Sequence, residues 1–124
     1  MPATILVADD DRAIRTVLNQ ALVRLGHDVR LTGNAATLWR WITDGEGDLV
    51  ITDIIMPEKE GIQTITEIRR EQPEAKVIAI SGGGRIGNTD FLRIAQKLGA
   101  TEVIAKPFDP DDLRSRVARC LAGH

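Results

Sequence analysis

Two hydrophobic rhythms alternate along the chain. Short apolar runs fill Ile5–Ala8, Leu49–Thr52 and Lys76–Ile80, with a shorter one in Thr101–Ala105; runs of this length read as strands buried in a parallel sheet. Asp28–Thr32 instead alternates, with Val29 and Leu31 on one face, and predicts a more exposed strand. Between the strands the spacing is helical. Ile14, Val17, Leu18, Ala21, Leu22 and Leu25 form one stripe that stops at Gly26. Asn34 predicts the cap of a second helix through Asp44, with Leu38, Trp41 and Ile42 inward. A third helix opens at Gly61, carries Ile62, Ile65 and Ile68, and ends at Pro73. A fourth spans Thr89 to Leu98 and closes on Gly99. Asp109 caps a last helix with Leu113, Val117 and Leu121 inward.

Five β-α units in strict alternation predict an α/β fold with helices on both faces of a parallel sheet. Repeats, linkers and low-complexity tracts are absent from the sequence, so residues 1–124 are expected to form a single domain. A net charge of -2 makes no electrostatic case for direct binding to nucleic acid or an anionic membrane. Apolar runs stay well short of the roughly 20 residues a membrane span needs. The N-terminus enters its first strand without a signal-like segment, and the single cysteine, Cys120, fits a reducing compartment. The expected location is cytoplasmic.

The strand ends carry the chemistry. Asp9 and Asp10 follow the first strand, Asp53 ends the third, Ser81 the fourth, and Lys106 follows the fifth. A parallel sheet brings these ends to one edge, where open α/β folds bind ligands. Three carboxylates in a small site call for a cation, and hard oxygen donors suit Mg²⁺. One carboxylate is then a candidate nucleophile that becomes an acyl phosphate. A lysine ammonium and a serine hydroxyl suit the remaining phosphoryl oxygens.

The runs Ile5-Leu6-Val7-Ala8-Asp9-Asp10-Asp11, Thr52-Asp53-Ile54-Ile55-Met56-Pro57, Ile80-Ser81-Gly82 and Ala105-Lys106-Pro107-Phe108 stand in order along nearly the whole chain. In this the sequence resembles the receiver, or response-regulator, domain of two-component signalling. The first half looks most like receivers of nitrogen-regulation activators, which carry an ATPase and a DNA-binding domain beyond the receiver; neither lies within these 124 residues. The second half looks more like stand-alone receivers.

The resemblance implies a flavodoxin-like fold with strand order 2-1-3-4-5. It implies phosphorylation of Asp53 by a sensor histidine kinase, with Mg²⁺ held by Asp10, Asp53 and the backbone carbonyl of Ile55, and by Asp9 mostly through water. Ser81 and Lys106 match the switch hydroxyl and the phosphate-binding lysine, and the Lys106-Pro107 bond is cis in the family. Such a domain is a signalling switch that catalyses only its own phosphorylation and dephosphorylation, as a monomer or a phosphorylation-dependent dimer. Two positions depart from the pattern. Val103 stands where the family usually has Tyr or Phe, so the aromatic half of the usual switch is missing. Gly82 is more often Ala, and Gly83 and Gly84 loosen that loop further.

Plainer roles exist for several of these residues. Asp11 reads as a helix cap only. Ser81 alone is an ordinary turn residue, and Lys106 alone a solvated surface lysine. Trp39 and Trp41 cannot both face the core from one helix, so one is expected to be exposed. His27 and His124 suggest no ligand, and Cys120 reads as a small core residue. A phosphohydrolase acting on small phosphate esters through an aspartyl nucleophile is the alternative function. Hydrolases of that kind want an acid two residues after Asp53, where Ile55 has no proton to donate. A nucleotide-binding reading fails because Asp9-Asp10-Asp11 repels phosphate in the absence of a metal.

Overall fold

The computed structural model describes residues 3–53, 61–72, 74–81, 99–105 and 108–122, with only the backbone at 61–65 and 81. The elements run β1 (Thr4–Ala8), α1 (Arg12–Arg24), β2 (Asp28–Thr32), α2 (Ala35–Thr43), β3 (Leu49–Asp53), α3 (Gly61–Glu71), β4 (Val77–Ser81), β5 (Glu102–Ala105) and α4 (Pro110–Leu121). All neighbouring strands pair in parallel, in the order β2-β1-β3-β4-β5. The helix expected over Thr89–Leu98 lies outside the described residues.

Period-two alternation within the strands divides the core into two layers. Leu6, Ala8, Val50, Val77 and Ala79 face Ala35, Leu38 and Ile42 of α2 and Ile68 of α3. Ile5, Val7, Leu49, Ile51, Ile78, Ile80 and Ile104 face Leu18, Ala21 and Leu22 of α1 and Leu113, Val117 and Cys120 of α4. Both faces of the central strands are therefore covered, which is why their sequences are continuously apolar. β2 is an edge strand and shows the expected half-exposed pattern.

The helix caps fall where the side chains predict them. Asp11, Asn34 and Asp109 each accept a backbone N–H in the first turn of α1, α2 and α4. Two expectations are corrected. Val17 and Leu25 are 37% and 41% exposed, because the contact made by α1 is narrower than its apolar stripe. In the last turn of α4 Cys120 is fully buried and Leu121 packs half-buried against the same layer, as expected. Neither tryptophan is the exposed one. Trp39 and Trp41 are both half-buried against the α2–α3 layer, and the Arg30 guanidinium lies 5.1 Å from the ring centroid of Trp41.

The amino edge of the sheet is closed by a reciprocal pair of hydrogen bonds. Asp48 N–H donates to the Thr4 carbonyl at 2.7 Å, and Thr4 N–H donates to the Asp48 carboxylate at 2.8 Å. Gly47, at φ +90°, lies over Leu6 so closely that a Cβ there would stand 2.7 Å from Leu6 Cγ. Arg69 of α3 donates to the carbonyls of Gly99 (2.7 Å) and Ala75 and to Thr101 Oγ1 (3.3 Å). At the β5 edge, Arg116 of α4 donates to the Val103 carbonyl (3.0 Å) and to Glu102 (3.1 Å), and Arg119 reaches the same carboxylate.

Candidate functional site

Strand register assembles the site. Ala8 pairs with Thr52, so Asp9 and Asp53 are the next residues on adjacent parallel strands. Ile80 pairs with Asp53 and Ala105 with Ser81. The backbone of Ser81 thus ends β4 beside Asp53, on the same edge as Ala105. The Ser81 side chain, Ile55, Gly82–Gly84 and Lys106-Pro107 lie outside the description.

One carboxylate oxygen from each of Asp9, Asp10 and Asp53 lies within 4.8 Å of the others. Asp9 is fully buried and Asp53 is 5% exposed, whereas Asp10 faces solvent. Crowding three carboxylates in this way, two of them away from water, costs free energy that a cation offsets. Oxygens bound to one Mg²⁺ at about 2.1 Å stand at most about 4.2 Å apart. The spacing of the cluster is on the scale of a single such ion. The donor set is all oxygen, as that ion requires.

The turn that carries Asp9 and Asp10 is held from several sides. Asp9 N–H donates to the Thr32 carbonyl at 3.0 Å. Asp9 Oδ1 accepts from Asp11 N–H at 2.9 Å, a local Asx turn. The Asp9 carbonyl accepts from Arg15 Nη1 at 2.7 Å. Asp11 Oδ1 accepts from Ala13 N–H at 2.9 Å, so Asp11 caps α1 and stands apart from the cluster. In β3 the buried Thr52 hydroxyl donates to the Asp53 carbonyl at 3.1 Å.

His27 and Cys120 keep the plainer roles expected of them. His27 Nδ1 accepts the Ala3 N–H at 3.0 Å and joins two chain segments. Cys120 is fully buried. Burial first, and then Glu102, push its thiol pKa upward against the opposing pull of Lys76, Arg119 and Arg116, so it stays a neutral core residue. Burial lowers the pKa of Arg69, but a guanidinium starts so high that it remains charged. Arg15 and Arg69 were not legible as important, since both act on backbone carbonyls that no spacing rule points to.

The family model for the response regulator receiver domain matches residues 5–118. The chain is 54% identical over 120 residues to the DNA-binding transcriptional regulator NtrC of Azospirillum brasilense, covering 96% of this chain and 24% of that protein. It is 50% identical over 121 residues to NtrC of Rhizobium meliloti, covering 97% and 24%. The chain spans about a quarter of the length of these relatives. Among solved structures it is similar to the receiver domain of NtrX from Brucella abortus, with TM-score 0.89, 33% identity and coverage of 97% and 99%. It is also similar to a CheY-like receiver domain protein from Methanospirillum hungatei, with TM-score 0.87, 27% identity and coverage of 98% and 95%.

Proposed function

The chain belongs to the response regulator receiver family, and on that premise we propose that it takes a phosphoryl group on Asp53 from a sensor histidine kinase in a Mg²⁺-dependent reaction. The observation that carries the reading is the meeting of Asp9, Asp10 and Asp53 at the carboxyl edge of the sheet. A carboxylate oxygen of Asp53 attacks phosphorus, the bond from phosphorus to the donor breaks, and the donor leaves with the bonding pair and takes up a proton. Asp9 and Asp10, with Asp53 and the Ile55 carbonyl, would hold Mg²⁺, which supplies neutralisation of charge on the transferring group. Ser81 and Lys106 would take its other oxygens. The domain is a switch rather than a metabolic enzyme. It works in the cytoplasm, in keeping with the finding that no helix among the described residues is long and apolar enough to cross a membrane.

Intact-mass analysis after incubation with acetyl phosphate and Mg²⁺ tests this reading. The wild type is expected to gain one phosphoryl group, and Asp53→Asn none. An unmodified wild type, or an Asp53→Asn variant labelled as strongly, defeats it.

The switch itself is proposed to run through Ser81 and the Gly82-Gly83-Gly84 loop. Val103 has no ring to swing; it packs against the α2–α3 layer, and its carbonyl is tied to Arg116. A phosphoryl group of roughly -2 charge can order a glycine loop by drawing in a hydroxyl and backbone N–H groups. Amide exchange is expected to slow at Ser81–Asn88 more than at Val103–Ala105 on adding a phosphoryl mimic. The reverse pattern would assign the switch to another route.

A further inference from the structure

The acidic turn after β1 is held by a residue outside the acidic cluster. Arg15, in the first half of α1, turns its guanidinium back so that Nη1 donates to the Asp9 carbonyl at 2.7 Å. That carbonyl belongs to the peptide joining Asp9 to Asp10, and a peptide is a rigid plane. Fixing its oxygen fixes the amide of Asp10 and the placement of the Asp10 Cα. The peptide before it is fixed by Asp9 N–H on Thr32, and the one after it by Asp11 N–H on Asp9 Oδ1. None of these three bonds uses the Asp10 side chain, whose Cα–Cβ direction is set by the backbone on either side.

The guanidinium reaches the carbonyl along a slot walled by Gly33. A Cβ at residue 33 would lie 2.6 Å from Arg15 Nη1 and 3.5 Å from Cζ, yet 3.6 Å from the Asp9 carbonyl oxygen. A methyl group there collides with the end of the arginine and only touches the backbone in ordinary van der Waals contact. Gly33 is not among the glycines at positive φ, so the backbone conformation does not call for glycine there. The space taken by Arg15 does.

We infer that Arg15, seated in the Gly33 slot, is a positioning residue for the cation site: it fixes the Asp9–Asp10 peptide so that Asp10 meets a metal ion together with Asp9 and Asp53. This rests on the Mg²⁺-dependent reading above. Outer groups that orient metal ligands are worth about 10–100-fold in metal affinity. Deleting Arg15 also removes a positive charge that opposes the ion, so the two effects have opposite signs. Displacing the guanidinium while keeping its charge separates them, and Gly33→Ala does this.

Mg²⁺ titrations followed by amide chemical shifts, well below the melting temperature, decide the matter. Wild type, Gly33→Ala, Arg15→Gln and the double variant are compared. Gly33→Ala is expected to weaken Mg²⁺ binding about tenfold with unchanged far-UV circular dichroism. In the Arg15→Gln background the same substitution is expected to change Kd less than about twofold, because its target is gone. A wild-type Kd in Gly33→Ala, with or without a lowered melting temperature, overturns the inference, as does an equal loss in both backgrounds. Should Gly33→Ala fail to fold, Arg15→Lys serves in its place, since it keeps the charge on a shorter arm; there a weaker Kd supports the inference and a wild-type Kd overturns it. A wild type that binds no Mg²⁺ brings down the functional reading itself, whereas a binding wild type matched by Gly33→Ala removes only the role of Arg15.

Discussion

Asp48 and Asp53 stand at opposite ends of the same strand. Asp48, just before β3, is exposed, and its carboxylate accepts the Thr4 N–H. Asp53, the last residue of β3, is buried beside Asp9 and Asp10. The side chains are chemically identical. The amino edge gives its carboxylate a neutral donor and water, so it stays a fastener. The carboxyl edge sets its carboxylate beside two more anions, an arrangement that suits a cation and, in the function proposed above, a nucleophile. What separates fastening from chemistry is the company each group keeps.

The sharpest way to break the comparison is to neutralise each end in turn. Asp53→Asn is expected to abolish labelling by acetyl phosphate, and Asp48→Asn to label at the wild-type rate. A large loss in Asp48→Asn would show that the two edges are not separate. Next in size are substitutions that disturb only the amino edge. Gly47→Ala combines a positive φ with a Cβ 2.7 Å from Leu6 Cγ, and is expected to cost about 2–3 kcal/mol in urea unfolding. Arg69→Ala strips donors from the Gly99 and Ala75 carbonyls, and is expected to cost about 2 kcal/mol. Both variants are expected to keep their phosphoryl uptake while folded; a variant that lost uptake at unchanged stability would tie the fasteners to the chemistry. The smallest effect is the stability of Asp48→Asn. Asparagine still offers an oxygen to Thr4 N–H, so a change of about 0.5 kcal/mol or less is expected, and a loss several times larger would mean that the charge matters there.

The sequence was informative where one physical rule governs many residues at once. Apolar runs marked β1, β3 and β4 because central strands bury both faces, and polar residues at their ends marked the edge where Asp9, Asp10 and Asp53 gather. Capping by Asp11, Asn34 and Asp109 was legible because each acts on its own helix. Legibility failed where a side chain acts across the fold. The α1 stripe included Val17 and Leu25 because periodicity reports direction around a helix but not the width of the surface it meets. The tryptophans looked exclusive because they sit two residues apart on α2, yet each packs one flank against the α2–α3 layer. Gly33 carried no signal in the sequence, although its lack of a side chain makes room for an arginine eighteen positions earlier. The strand order came from resemblance, since alternation alone fixes the parallel sheet but not which strand lies beside which.

One bond made at the β5 edge has a bearing on self-assembly. An outer strand offers its backbone to any passing extended chain, and that is how sheets merge into filaments. In β5 the Val103 carbonyl is already occupied by Arg116, and the charged pair with Glu102 lies alongside. An incoming strand would have to evict a guanidinium that holds a carboxylate as well as the carbonyl. That guarded border favours meeting other chains through side-chain surfaces over joining sheet to sheet.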